Sequence, residues 1–472
     1  MDNLNQEIGL NDVDLPDPGE LKPQDPERTS AEMSVAKSSR KQVWLSKIIK
    51  GSAWTTFGTG TSQVVRLGSN LILTRLLFPE AFGLMALVQV FMTGLEMFSD
   101  VGIHPSIIHS QRGEDSKFLN TAWTIQVIRG VCLWLIACLM AYPAAAFYRE
   151  PMLMQLIPVV GLSSLISGFQ STKLATVNRK IELGRLTILD LGTYIIGVVV
   201  MVVGAFFYKS VWVLVVGGTV NALLKMILSH TYLPGERNFF QWDRDCYHEI
   251  HKFGRWIFLS TVITFFAIQG DRLVLGRIMD VRFLGIYGVA LMMSRSLIEV
   301  IASISSKVLF PFYAEVSRES PDRFYRVLRK NRIIIISLLW SASLFFILFG
   351  QFLINIMYDQ RYAEAGWILK VLSIGTLVDA LYESYNYVLV AKGRTRDQAV
   401  LLFIKTVAQF AAILLGYYLG GERGAIIGMA LSSWSLYLPN AFFFKRLSLW
   451  QPEIDLPILG VSTAIAFVVL TQ

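Results

Sequence analysis

The stretch GSAWTTFGTGTSQVVRLGSNLILTRLLF at residues 51–78 decides the architecture. Its only charged side chains are Arg66 and Arg75, and the remaining positions are mostly apolar or small. A helix of about 20 such residues crosses a hydrocarbon core of about 30 Å. The segment therefore reads as a membrane span carrying a cation near its middle. Similar runs recur along almost the whole chain. Helical spans are expected near 52–77, 81–109, 119–147, 152–176, 183–208, 211–233, 254–277, 283–313, 332–356, 364–391, 397–419 and 424–446, with a shorter one at 456–470. Pro79, Pro151, Gly393 and the Gly420-Gly421 pair stand at their ends, where helix breakers belong.

Composition agrees. A chain of 472 residues that is 53% hydrophobic and only 17% charged cannot cover a single soluble core, which argues against a soluble enzyme. Alternation at period two is absent, which excludes a closed barrel. The formal charge of +8 sits in short loops, so it bears on orientation and nucleic acid is not an expected partner. Cys132 and Cys138 share one apolar run and Cys246 falls in a loop, so neither a disulfide framework nor a zinc spacing is present. Residues 1–40, rich in Pro, Asp and Glu, are expected to be a disordered tail. Val43–Lys50 is expected either to lie in the membrane interface or to be the frayed start of the first span.

Loop charge sets the expected orientation. Lys173, Arg179, Lys180, Arg244, Arg326, Lys330, Arg332, Arg394 and Lys445 are among the many cations on one side, whereas Arg75, Lys209, Arg277, Arg282 and Arg361 are among the few on the other. By the positive-inside rule the rich side, and with it the N-terminus, faces the cytoplasm. A shift of 202 residues then lays Trp54 on Trp256, Gly68 on Gly270, Leu71 on Leu273, Arg75 on Arg277 and Gly83 on Gly285 without a gap. An even number of spans separates the two copies, so the repeat is parallel. The expected fold is an all-α polytopic bundle of two six-helix lobes, 41–233 and 254–446. They are joined by a cytoplasmic loop at 234–253 and followed by an extension at 447–472 with a short apolar segment.

On these residues the chain resembles a known family. RLLFPEAFGLMALVQV at 75–90, SDVGIHPSIIHSQ at 99–111, GDRLVLGRIMDVRFLGIYGVA at 270–290 and LFPFYAEVSR at 309–318 resemble bacterial polysaccharide transporters. These are oligosaccharide flippases of the multidrug/oligosaccharidyl-lipid/polysaccharide exporter superfamily. The resemblance implies two lobes that alternate access and move a glycan on a polyprenyl diphosphate from the inner to the outer leaflet. It implies a lipid-linked oligosaccharide substrate, membrane lipids as surroundings and polymerase or export machinery as partners. Family members commonly have twelve to fourteen spans, and this chain ends after a short thirteenth.

Ionisable groups within spans are costly unless they face a cavity or a partner, which makes each a site candidate. Arg66 is central in the first span and its repeat counterpart is Ile268, so the fold alone does not call for a charge there. It is the leading candidate for the diphosphate, whose oxygens suit a guanidinium fork. The competing reading is a buried pair with Glu96 or Asp100, spaced i, i+4 with His104 on one helix face. Arg129, Arg272, Arg295, Lys307 and Lys405 are further diphosphate candidates, although Arg295 has Glu299 at i+4 as a ready partner. Glu96 and Asp100 are ion-coupling or glycan candidates. Asp379, Tyr382, Glu383 and Asn386 recur at three- and four-residue spacing on the tenth span, a polar face suited to sugar hydroxyls. Arg75 and Arg277, matched in both copies, suggest capping or snorkelling, and the Gly58-Thr59-Gly60 and Gly217-Gly218 clusters suggest close helix packing.

No catalytic triad, metal-ligand spacing or nucleotide fingerprint stands out, so neither catalysis nor a cofactor or metal is expected. A lipid II flippase and a cation-coupled drug antiporter of the same superfamily are the alternatives within transport, and a membrane glycosyltransferase is the alternative outside it. The orientation is directly testable. Single cysteines near Lys180, Arg244 and Arg326 should resist an impermeant thiol reagent in intact cells, and ones near Lys209 and Arg361 should label. Labelling of the first set would reverse the topology.

Overall fold

Helix is the one open structure that satisfies every backbone N–H and C=O within its own segment, and a lipid-solvated chain has little alternative. The computed structural model describes residues 54–100 and 102–471, without the side chains of 252–260, 307 and 319. The expected tail and the 43–50 segment lie outside the described residues. The helices are α1 (54–76), α2 (Pro79–Phe98), α3 (Ile103–His109), α4 (Ser116–Tyr148), α5 (Leu153–Gly168), α6 (Lys173–Arg179), α7 (Leu183–Tyr208) and α8 (Trp212–Thr231). They continue with α9 (Arg244–Ile278), α10 (Val281–Ile304), α11 (Phe310–Glu319), α12 (Pro321–Met357) and α13 (Glu364–Ser384). The last are α14 (Val388–Ala391), α15 (Thr395–Ser435), α16 (Tyr437–Arg446) and α17 (Pro452–Thr471).

Every expected span within the described residues is therefore helical, but several are broken. By length and hydropathy nine described helical segments are fit to cross a bilayer, or ten if the bent pair α5–α6 is one span. One of the nine, Thr395–Arg446, reverses at Gly420 and Gly421, whose backbone is non-helical, so it contains two of the expected spans. The span expected at 81–109 stops at Phe98 and resumes at Ile103. Gly102 takes φ 67° there, which glycine adopts without a Cβ penalty, and Asp100 accepts its N–H. Asp100 thus leaves the helix, and the expected face running Glu96, Asp100, His104 does not form. Likewise the span at 364–391 ends at Ser384, and Tyr387 has φ 65°. Asn386 therefore sits in a turn rather than on the face of Asp379 and Glu383.

Residues Gly51–Gln472 pack as one compact unit. Its most enclosed span is α13, against α12, α10 and α15: its apolar stretch is 78% buried, against 17% for α17, which is left mostly to lipid. Large apolar side chains such as Leu139, Phe207, Leu348, Leu419 and Phe467 point outward, as a lipid solvent requires. Gly58 and Gly217 do allow close helix approach, to Thr187 and to Met201, whereas Gly60 and Gly218 border open space.

Two features correct the reading of the loops. The segment at 234–253 is only half a loop, because α9 begins at Arg244. Asp243 caps it by accepting the Cys246 N–H, which holds its carboxyl below the ordinary range. Cys246 is therefore in the first helical turn, buried, with its thiol pushed up to about 11 by burial. The extended residues before it are strapped to α4, where Asn120, Thr121 and Thr124 accept the N–H groups of Phe239, Asp243 and Gln241. Arg332, expected in a cytoplasmic loop, is fully buried. It donates to Ser384, the Tyr385 hydroxyl and Gln451, and pairs with Asp455 in the first turn of α17. That network docks the C-terminal helix and engages the hydroxyl of Tyr385, which directly follows α13.

The internal repeat acquires a physical counterpart where α2 meets α10. A Cβ on Gly83 would fall on the carbonyl of Val281, and a Cβ on Gly285 would fall on the carbonyl of Pro79. Both pairs are related by the same shift of 202 residues, so the contact is reciprocal, as between two subunits of an isologous dimer. Glu80 and Arg282 flank it at 3.9 Å. Valine at either glycine should cost about 1–3 kcal/mol of overpacking and part the helices there. Cysteines at positions 80 and 282 should cross-link readily with a short dithiol reagent, and Gly83→Val or Gly285→Val should lower the yield to a similar extent. An effect from only one of the two would show that the contact is not reciprocal.

Candidate functional site

Charges carried into a lipid-solvated bundle must turn inward, and here they gather at three places. The first lies where α1 meets α10. Arg66 pairs with Glu299 at 2.5 Å, and the Gln63 side-chain amide donates to the same carboxylate oxygen at 2.7 Å. The partner is neither Glu96 nor Asp100, because the break after Phe98 and the placement of α10 put another carboxylate nearer. Nor is Glu299 the partner of Arg295. Arg295 lies in the field of Asp271 first, then of the Tyr287 hydroxyl and Asp379, with Glu299 a lesser influence. Both side chains of the Arg66–Glu299 pair are more than a third exposed, so its net worth is about 1 kcal/mol or less. Beside Arg66 opens a cavity of about 360 Å³ between α1, α7 and α8. On its walls stand Tyr194, Asn221 and a second ion pair, Lys225–Asp190, at 2.7 Å. Three buried atoms on these walls have no hydrogen-bond partner among the described residues: Arg66 Nε, Gln63 Oε1 and Asn221 Oδ1.

The second place is a cavity of about 380 Å³ among α2, α3, α4 and α5. Glu96, Asp100, His104, Gln126 and Arg129 line it. Arg129 is held by neutral oxygens, the Ser99 hydroxyl at 3.0 Å and the Glu96 carbonyl at 2.7 Å. The Glu96 carboxylate accepts from Ser164 and that of Asp100 from Gly102. Among the described residues no group of three His, Cys, Asp or Glu side chains is placed to hold a metal ion.

The third place is a cluster around α13. Lys405 stands 3.9 Å from Asp379 and over the Tyr382 ring at 4.8 Å, within the field of Glu383 as well. Glu383 accepts from Asn386, and Asp271 accepts the Tyr287 hydroxyl at 2.6 Å. Arg272 donates to Gln269. Lys307 belongs to the π turn at Ser305–Leu309, and its side chain is outside the described residues. The expected sugar face is thus largely engaged within the protein. Lys225, Asp190 and Asn221 were missed in the sequence, although intramembrane ionisable residues are the signal that flags the first two.

Other ends of the bundle carry structural cations. Arg75 donates to the Ile356 carbonyl at the end of α12, Arg361 donates to the Arg75 carbonyl, and Arg277 lies over the Phe147 ring.

Lys405→Met should strand Asp379 beside Glu383 and lower the yield of inserted protein, by an amount equivalent to about 1–3 kcal/mol given the partial exposure of the pair. Lys405→Met with Asp379→Asn should recover most of it, as read by fluorescence-detected size exclusion. A double variant as poor as the single would argue against the pair.

Comparison with known proteins agrees with this architecture. Residues 72–367 match the polysaccharide biosynthesis protein family. The chain is 23% identical to the lipopolysaccharide biosynthesis protein WzxC of Escherichia coli K12 over 447 residues, covering 90% of this chain and 89% of that protein. It is 21% identical to the teichuronic acid biosynthesis protein TuaB of Bacillus subtilis, covering 88% of each. It is also 21% identical to a putative O-antigen transporter of Shigella flexneri, over 82% of this chain and 94% of that one. Among solved structures it shares its fold with an inward-facing multidrug resistance MATE family transporter, with a TM-score of 0.65 at 13% identity, over 82% of this chain and 94% of that one. It shares it also with the lipid II flippase MurJ in an inward closed conformation, with a TM-score of 0.64 at 14% identity, over 89% and 92%. An all-helical multi-pass bundle, a family match over more than half the chain and relatives matched nearly end to end converge: this protein is a member of the polysaccharide biosynthesis protein family.

Proposed function

We propose that the protein is a flippase that carries a polyprenyl-diphosphate-linked oligosaccharide across the bacterial inner membrane, with the N-terminus in the cytoplasm. Its two repeat-related lobes, 41–233 and 254–446, alternate access between the leaflets, and polymerase or export proteins receive the product. No catalytic step is involved. The relatives that match nearly end to end support this substrate class, being named as proteins of lipopolysaccharide and teichuronic acid biosynthesis and as a putative O-antigen transporter.

The observation that carries the reading is Arg66, a guanidinium in the middle of a span that lines a cavity and faces the other half of the repeat. An anionic diphosphate needs a cation in a low-dielectric interior, and a guanidinium offers paired N–H donors to its oxygens. A cation-coupled drug antiporter would instead present a lone acid to its substrate, whereas the cavity beside Arg66 holds Lys225 already bound to Asp190.

Arg66→Ala should abolish surface polysaccharide, read by immunoblot or phenol-extracted glycan, while the protein still inserts. Arg66→Lys should restore it in part. Arg66→Ala with Glu299→Gln, which leaves no stranded charge, should remain inactive. Normal export by that double variant would mean that Arg66 only neutralises Glu299.

A further inference from the structure

Glu299 does not sit on Arg66 by local geometry. The two residues lie on helices from different copies of the repeat, and only the tertiary fold brings them together. The carboxylate takes one edge of the guanidinium, through a terminal nitrogen, and collects Gln63 on the same oxygen. The buried Nε–H has no partner among the described residues. An arginine offers five N–H groups in a fork suited to paired oxyanion acceptors, and here a single carboxylate oxygen is recorded on it.

We propose that Glu299 is an intramolecular stand-in for the substrate's phosphate. It holds Arg66 until a diphosphate arrives, and the exchange of one anion for the other unties α1 from α10. This rests on the reading above that Arg66 receives the diphosphate. A diphosphate brings more charge and more acceptor oxygens than one carboxylate, so it can take the terminal nitrogen and satisfy Nε together. Gln63, which shares the Glu299 oxygen, is released in the same exchange. The Arg66–Glu299 pair is partly exposed and weak, as a displaceable occupant must be.

The consequence follows from α10 itself. Gly285 near its start is locked into the reciprocal contact with α2, and Glu299 lies about 21 Å further along the helix. Beyond Glu299 the helix continues into a π turn at Ser305–Leu309, an irregular stretch of the kind that accommodates movement. Release of Glu299 therefore frees the far half of α10 while the glycine contact still holds the near end. Binding of the head group and separation of the two halves become one event.

The test uses the full chain in lipid nanodiscs with undecaprenyl diphosphate as probe, titrated by native mass spectrometry. Glu299→Gln removes the competitor and should tighten binding about two- to five-fold, the range to which a partly exposed ion pair converts. Arg66→Ala should weaken binding at least ten-fold. If Arg66→Ala leaves binding unchanged, the assignment of the diphosphate to Arg66 fails. If Arg66→Ala weakens binding but Glu299→Gln leaves it unchanged or weaker, that assignment stands and the stand-in role is overturned. A second measurement reads the tie directly. Leu67 on α1 and Ser296 on α10 line one small cavity, and cysteines there should cross-link less when the probe saturates the protein. The Arg66→Ala background should show no such response. An unchanged yield in the otherwise wild-type protein would overturn the proposed exchange.

Discussion

A bilayer offers a buried charge no water, and this one constraint organises the molecule. Every ionisable side chain on a span must find a cavity, an opposite charge or a row of neutral donors and acceptors within the bundle. The three polar centres are three solutions to that problem. Lys405, Asp379 and Glu383 compensate one another around α13. Arg129 leans on a hydroxyl and a carbonyl at the edge of a cavity. Arg66 reaches across to a carboxylate on the other copy of the repeat and keeps its buried Nε–H unpartnered among the described residues. Of the three, only the last joins the two copies of the repeat and also keeps a buried donor unpartnered among the described residues, which is why the proposed function is placed there.

The same constraint separates stability from function. Arg332 and Asp455 are fully enclosed and richly hydrogen-bonded, and removing one partner of such a pair costs about 3–5 kcal/mol, so it behaves as a rivet for the C-terminal helix. The Arg66–Glu299 pair has similar chemistry but is partly exposed beside a cavity, where the same ions hold each other far less tightly. A rivet and a latch are thus each made from an arginine and a carboxylate, and exposure decides which is which. At the other end of α10 the close approach is made by glycines against backbone carbonyls. A transporter built this way has a rigid, repeat-symmetric contact at one end of a helix and an exchangeable ionic one further along it.

Much of this was legible in the sequence. The apolar runs placed the helices, because a span of about 20 residues has few alternatives in lipid. The unbroken shift of 202 residues, with Gly83 on Gly285, anticipated a symmetric arrangement, and Arg66 stood out because its counterpart is Ile268. What misled was the assumption that a long apolar span is one helix. Asp100 and Asn386 were placed on helical faces by spacing, but Gly102 and Tyr387 turn the chain locally and take both off those faces. Arg332 was counted among loop cations because its neighbours Arg329 and Lys330 are basic, and nothing in the local sequence announces Asp455, more than 120 residues away.

Hydropathy and spacing along the chain are enough to set the membrane class, the order of the helices, the repeat and the charges that must be accommodated. Which charge accommodates which is settled by how the helices pack. Glu96, Asp100, Glu299 and Arg295 were all plausible neighbours in a mutual pairing, and the fold delivered Glu299 to Arg66 and Asp271 and Asp379 to the vicinity of Arg295. The physical reason is that an ion pair is set by a few ångströms between side chains on different helices, and that distance depends on helix breaks and crossing positions, which hydropathy does not encode.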